Sequence, residues 1–148
     1  MKNIFLTFIL SLSILGQATA QSSNLQRQGT ATQLTVDGKP FLILGGELGN
    51  SSASCQEDIE RIFPKLKRMG LNTVLVPAYW DLTEPQKGKF DFSLTEKVIN
   101  QARENNLKVI FLWFGAWKNS MSCYAPLWFK EDYQKYPRSY TENGKPLE

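Results

Sequence analysis

The sequence contains no histidine. That absence excludes the Ser-His-Asp triad, the Cys-His dyad and every metal centre built on imidazole. Acid–base chemistry in this chain must rest on carboxylates, Lys, Tyr or Cys. Charge of one sign is also scarce: 17 Lys and Arg face 14 Asp and Glu, a net +3. So small an excess leaves no footprint for nucleic acid. No apolar run approaches the ~20 residues of a membrane span. What is present, 42% hydrophobic and 21% charged residues over 148 positions, describes a globular chain of one domain or part of one.

The N-terminus carries the pattern of a secretory signal. Lys2 precedes an apolar run from Ile4 to Leu15, broken by Thr7, Ser11 and Ser13, and Ala18-Thr19-Ala20 places small residues at a cleavage site. The expectation is a signal peptide over 1–20 and a secreted or periplasmic protein, with no membrane association after cleavage. No Cys follows the cleavage site, so lipid anchoring there is not expected. Residues 21–32 are polar and read as a loose lead-in.

From residue 33 the pattern becomes strand and helix. Gln33–Val36, Asp37-Gly38 and Lys39–Leu44 read as a hairpin, because Asp-Gly supplies the positive φ angles of a tight turn. Phe41–Leu44, Thr73–Val76 and Val109–Trp113 are apolar without alternation, as in parallel strands covered on both faces. Between them, Ile59, Ile62, Phe63, Leu66 and Met69 form one helical stripe that Gly70 stops. Pro64 inside that stripe predicts a kink or a restart. Leu94, Val98, Ile99 and Ala102 form a second stripe, and Ser93 with Glu96 predicts a capping box at its start. Lys65, Lys67 and Arg68 are most simply the wet face of the first helix.

Strand starts at 41, 73 and 109 give βαβ spacing, which suits a doubly wound sheet or a (β/α)8 barrel. Gly45-Gly46-Glu47-Leu48-Gly49 does not match the dinucleotide turn G-x-G-x-x-G, and Glu47 would repel a pyrophosphate. A barrel places its working residues just after each strand. There the chain sets Glu47 and Asn50, then Tyr79, Trp80, Asp81 and Glu84, then Trp113, Trp117, Lys118 and Asn119. Aromatic faces beside carboxylates and amides suit sugars. The competing reading is that Trp80 and Trp113 only plug the top of the core.

The stretch Trp80 to Phe92, with Glu84-Pro85, Gly88 and Phe90-Asp91-Phe92, resembles the W-x3-EP-x2-G-x-FDF segment of β-galactosidases in glycoside hydrolase families 35 and 42. Pro126-Leu127-Trp128-Phe129, Tyr136-Pro137 and Asn143-Gly144 are similar to the P-x-W-L…YP…G stretch of the same enzymes. The resemblance spans residues 33–148. It implies an α/β fold, the first three β-α units of a (β/α)8 barrel preceded by a hairpin, with no metal or organic cofactor. It further implies a carbohydrate substrate cleaved with retention by two glutamates, one after strand four and one after strand seven, beyond Glu148. Family 35 often carries a carboxylate in the turn after strand three, where this chain reads Gly115-Ala116-Trp117-Lys118.

No catalytic residue is therefore expected among these 148, and the rim residues above are candidates for substrate binding. Glu47 and Glu84 would sit on neighbouring strand ends, but Glu84, before Pro85 in a long loop, is better suited to ordering that loop. Lys118 could pair with Glu47 or Asp81, or be solvated. Cys55 and Cys123 both follow strands at one rim, so a disulfide requires their loops to converge to ~7 Å between Cα atoms; two separate thiols are the alternative. The functional alternatives are a non-catalytic glycan-binding module and a truncated, inactive product.

Overall fold

The computed structural model describes residues 22–115 and 123–146. The expected signal peptide, Trp117, Lys118 and Asn119 lie outside the described residues. Two compact units are present, one ending at Leu42 and one beginning at Ile43.

The first unit is an antiparallel sheet of β1 (Ser23–Gln28), β2 (Ala31–Val36) and β3 (Lys39–Pro40), in that order. Asp37 at φ 51° and Gly38 at φ 72° turn β2 into β3, as expected of Asp-Gly. The stretch 21–32, expected to be loose, instead supplies β1, paired from Ser23↔Val36 to Gln28↔Ala31. Its six side chains are all exposed. Pairing here rests on the backbone ladder, which apolar periodicity cannot reveal.

The second unit is α/β. Its sheet is β4 (Gly45–Glu47), β5 (Thr73–Tyr79) and β6 (Lys108–Phe114), all parallel, in the order β4-β5-β6. The helices between them are α1 (Gln56–Arg68), the short α2 (Trp80–Thr83) and α3 (Ser93–Glu104); α4 (Leu127–Glu131) follows β6. Ile59 and Phe63 of α1, Val98 and Ala102 of α3, and Val74 and Val76 of β5 form the core, with Leu48, Ala53 and Leu107. Val74 and Val76 alternate with residues of the opposite face, so the two long helices cover one side of the sheet.

Several local expectations are corrected. The first parallel strand is Gly45–Glu47 rather than Phe41–Leu44. Leu42, Ile43 and Leu44 are exposed, and the ladder starts where the Asn72 and Thr73 N–H groups donate to the Leu44 carbonyl. The glycine-rich stretch is thus partly the strand itself. Helix α1 runs unbroken through Pro64, because one missing hydrogen bond is outweighed by the complete burial of Ile59 and Phe63 in the same helix. The Ser93–Glu96 capping box does not form. Phe92 is the N-cap, and the Asp91 carboxylate accepts the Ser93 N–H at 2.9 Å instead.

Both long helices end in the same way. Gly70 donates to Lys67 O and Leu71 to Leu66 O; Asn106 donates to Arg103 O and Leu107 to Ala102 O. These are Schellman ends, with Gly70 at φ 82° and Asn106 at φ 52° in the left-handed position. The buried Leu107 then leads directly into β6.

Pro77 lies inside the central strand, where a missing N–H ordinarily breaks a ladder. Thr73 N–H donates toward β4 and Leu75 C=O accepts from Leu48 N–H, so odd-numbered residues of β5 direct their backbone groups to the β4 side. The β4 ladder stops at Glu47↔Leu75. Pro77 has no N–H for the next carbonyl on the β4 side, so this ladder ends with the bond from Leu48 N–H to Leu75 C=O.

Candidate functional site

The second and third strands end in two aromatic clusters, and the loop chemistry of each is distinct. After β5, the Glu84 carboxylate is satisfied by its own segment: Trp80 Nε1–H donates to one oxygen at 2.8 Å and the Gly88 N–H to the other at 2.7 Å. These bonds, Trp80 first, hold its pKa below the ordinary value, with nearby Lys87 adding to the effect. Gly88 can accept this approach at φ 75°, a conformation that side chains resist. The Glu84 carbonyl in turn accepts Trp128 Nε1–H at 2.9 Å.

Trp128 and Phe129 of α4 and Tyr136 pack on the same feature. Trp80 lies 5.7 Å from Trp128, edge-on, and 4.9 Å from Phe129, while Phe129 and Tyr136 are 4.4 Å apart. The two segments that carried the sequence resemblance are thus one clamp. Its glutamate and indoles hold a long loop, and Trp128, the tryptophan away from the strand ends, is central to it.

The second cluster joins Tyr79, Phe114 and Tyr124. Tyr79 and Phe114 are register partners at the ends of β5 and β6, with rings 6.0 Å apart and edge-on. Tyr124 lies 5.0 Å from Tyr79 and 5.3 Å from Phe114. Tyr79, expected at the substrate rim, is only 2% exposed, and its hydroxyl accepts the Ala53 N–H at 3.3 Å. Burial pushes its pKa up to about 12. It cannot touch a solvent-borne ligand. Its apolar ring on the inner side of the strand end decides that, and a residue count along the strand does not reveal it.

Sheet faces separate the remaining candidates. Glu47 is in register with Leu75 and, through it, Ile110, on the face opposite the helices. Trp113 pairs with Ala78 and alternates with Leu112, which puts it with Val109 and Phe111 on the helix-facing side. Trp113 is 60% exposed. A single platform of Trp80 and Trp113 is therefore not assembled with Glu47: Trp80 belongs to the clamp and Trp113 to the other face. Glu47 is exposed and Asn50 half-buried in the loop that follows β4. Glu47 is in register with Leu75 within the sheet, whereas Glu84 caps the end of α2 and is held by Trp80 and Gly88.

Of the two alternatives for the cysteines, the structure has the separate thiols. Cys55 is the N-cap of α1 and its thiol donates to Asp58 at 3.4 Å, while Cys123 is an exposed free thiol. The demands of the helix start hold Cys55 in place. Among the described residues no group of Cys, Asp and Glu is arranged to hold a metal ion.

Sequence comparison accords with this arrangement. The profile of glycosyl hydrolases family 35 matches residues 33–141, most of the chain. The chain belongs to glycosyl hydrolases family 35. It is 35% identical over 107 residues to a β-galactosidase of Xanthomonas manihotis, covering 69% of this chain and 18% of that protein. It is 42% identical over 59 residues to β-galactosidase-1-like protein 3 of Homo sapiens, covering 40% of this chain and 9% of that one. Against β-galactosidase 11 of Arabidopsis thaliana the identity is 37% over 71 residues, 48% of this chain and 8% of the relative. The chain thus spans less than a fifth of the length of these curated relatives. Among solved structures it is similar to an exo-β-1,4-mannosidase from Opitutaceae bacterium strain TAV5, with TM-score 0.52 and 18% identity over 66% of this chain and 19% of that one. It is also similar to an endo-1,4-β-mannanase from Rhizomucor miehei, with TM-score 0.51 and 21% identity over 78% and 35% of the two chains. At these identities the likeness is one of fold.

Proposed function

We propose that this chain forms the first three β-α units of a (β/α)8 barrel in a β-galactosidase-like glycoside hydrolase, and that it supplies scaffold and part of the substrate wall. The family match over residues 33–141 carries this reading. The parallel order β4-β5-β6, with α1 and α3 on one face, supports the barrel arrangement. In that arrangement the face of Glu47, Leu75 and Ile110 looks inward, so Glu47 and the neighbouring Asn50 are the favoured contacts for sugar hydroxyls. Trp117, Lys118 and Asn119 are further candidate contacts for sugar in this reading. Trp80 and Glu84 act on substrate through the loop they order, and Trp113 serves the outer layer.

Hydrolysis with retention requires an acid/base carboxyl and a nucleophilic carboxylate ~5–5.5 Å apart. The reading assigns both to strands four and seven of the complete barrel. Residues 21–148 alone should then show no turnover of aryl β-galactosides, while the same sequence extended through a full barrel of ~250 residues turns them over. Turnover by the short chain that Glu47→Gln or Glu84→Gln abolishes would reverse the assignment and make those two the catalytic pair.

The signal-like N-terminus places the protein outside the cytoplasm in this reading. Expressed in a secreting bacterium, the product should begin at or within a few residues of Gln21. N-terminal sequencing that recovers Met1 from the periplasmic fraction would contradict it.

A further inference from the structure

Tyr79 stands at a junction that the hydrolase reading leaves unused. Its phenol reaches from the end of β5 to the backbone of Ala53, in the loop after β4. Its ring packs on Tyr124, beyond β6. Tyr124 closes the circuit twice. Its carbonyl accepts the Asp81 N–H at 2.8 Å, and its hydroxyl lies 3.4 Å from Ser51 Oγ, at the surface. Ser51 also accepts, through its carbonyl, the Ser54 hydroxyl at 2.8 Å, which stiffens the same turn. A buried tyrosine thus ties the segments following three consecutive parallel strands, and beside it the exposed Ser51 and the half-buried Tyr124 bring two hydroxyls together at the surface, Ser51 following Asn50 in the chain.

We propose that Tyr79 is a positioning residue that fixes the spacing of the loops after β4 and β6, so that the Ser51–Tyr124 hydroxyl pair is a preformed contact for the polyol face of a sugar. Paired hydroxyls can each donate and accept, which matches the mixed demand of vicinal sugar hydroxyls. Holding them in advance removes the ordering cost that two free loops would impose on binding. The inference rests on the hydrolase reading for its substrate, but the tie from Tyr79 to Ala53 does not.

The test uses the full-length protein and three variants: Tyr79→Phe, Ser51→Ala and Tyr124→Phe. Tyr79→Phe keeps the ring and deletes the acceptor of the Ala53 amide, so exchange of that amide with solvent should quicken about tenfold. Each variant should raise KM for an aryl β-galactoside about three- to tenfold, the effect of one neutral hydrogen bond, with kcat within twofold. A merely structural tyrosine would lower the amount of folded enzyme and leave KM alone. Unchanged exchange at Ala53 in Tyr79→Phe would overturn the tie from Tyr79 to Ala53. KM values within twofold for both Ser51→Ala and Tyr124→Phe would overturn the sugar contact. A parent protein without turnover would defeat the hydrolase reading, and Ala53 exchange would still decide the tie from Tyr79.

Discussion

Strands β5 and β6 look alike as sequence and differ as structure. Thr-Val-Leu-Val-Pro-Ala-Tyr of β5 has five of its seven side chains buried; Lys-Val-Ile-Phe-Leu-Trp-Phe of β6 has one, Phe114. By composition β6 is the more hydrophobic. The difference lies in neighbours. Strand β5 lies between β4 and β6 and beneath α1 and α3, while β6 pairs with β5 alone among the described residues. Its Ile110, Phe111 and Trp113 are 39%, 37% and 60% exposed. An apolar run states that a strand is suited to burial on both faces, the expectation drawn for all three strands here, but only the elements packed on it determine whether it is buried.

That contrast can be broken by mutation. The largest effect is expected from Phe63→Ala, which empties the space under β5 where the ring is completely buried. The loss should be about 3–5 kcal/mol in chemical denaturation. A loss below about 1 kcal/mol would mean that the α1 side is no better packed than β6.

A smaller, pH-dependent effect is expected at Glu84, outside both strands. Its pKa is lowered from 4.5 by the Trp80 and Gly88 bonds, so the loop is fully held above that pH and loosens as pH falls through the lowered value. The Gly88 amide resonance should follow this acid transition, and Glu84→Gln should abolish it. A Gly88 amide that titrates identically in the variant would remove Glu84 from the clamp.

The smallest effect belongs to Trp113→Tyr on β6, whose ring is 60% exposed, expected to change stability by under about 1 kcal/mol. A loss comparable to that of Phe63→Ala would show that β6 is covered in solution and would end the contrast.

Much of the second unit was legible in the sequence. The helical stripe from Ile59 to Leu66, the stop at Gly70 and the strands at 73 and 109 follow from periodicity and from glycine's access to positive φ. Less legible were β1, whose exposed polar side chains carry no apolar signal, and the beginning of β4, where glycines with no side chain to bury form the strand. Of the site residues, Glu47 and Trp113 were both read as strand-end groups. A shift of one residue in parity separates their faces, and that parity becomes known only when the register Glu47↔Leu75 and Ala78↔Trp113 is known. Ser51 and Tyr124 were missed because 73 positions separate them and neither belongs to a motif.

Local rules, acting over a few residues, let the sequence by itself determine the α/β order, the helix stop at Gly70, the Asp37-Gly38 turn and the two segments that mark the family. Tertiary structure alone decided that Glu84, Trp80 and Trp128 lock one loop, that Tyr79 turns inward to Ala53, and that Cys55 meets Asp58 rather than Cys123. Each of those outcomes depends on which surfaces lie against one another. Burial and hydrogen-bond partners are properties of such contacts, and a residue's own chemistry limits them without choosing among them.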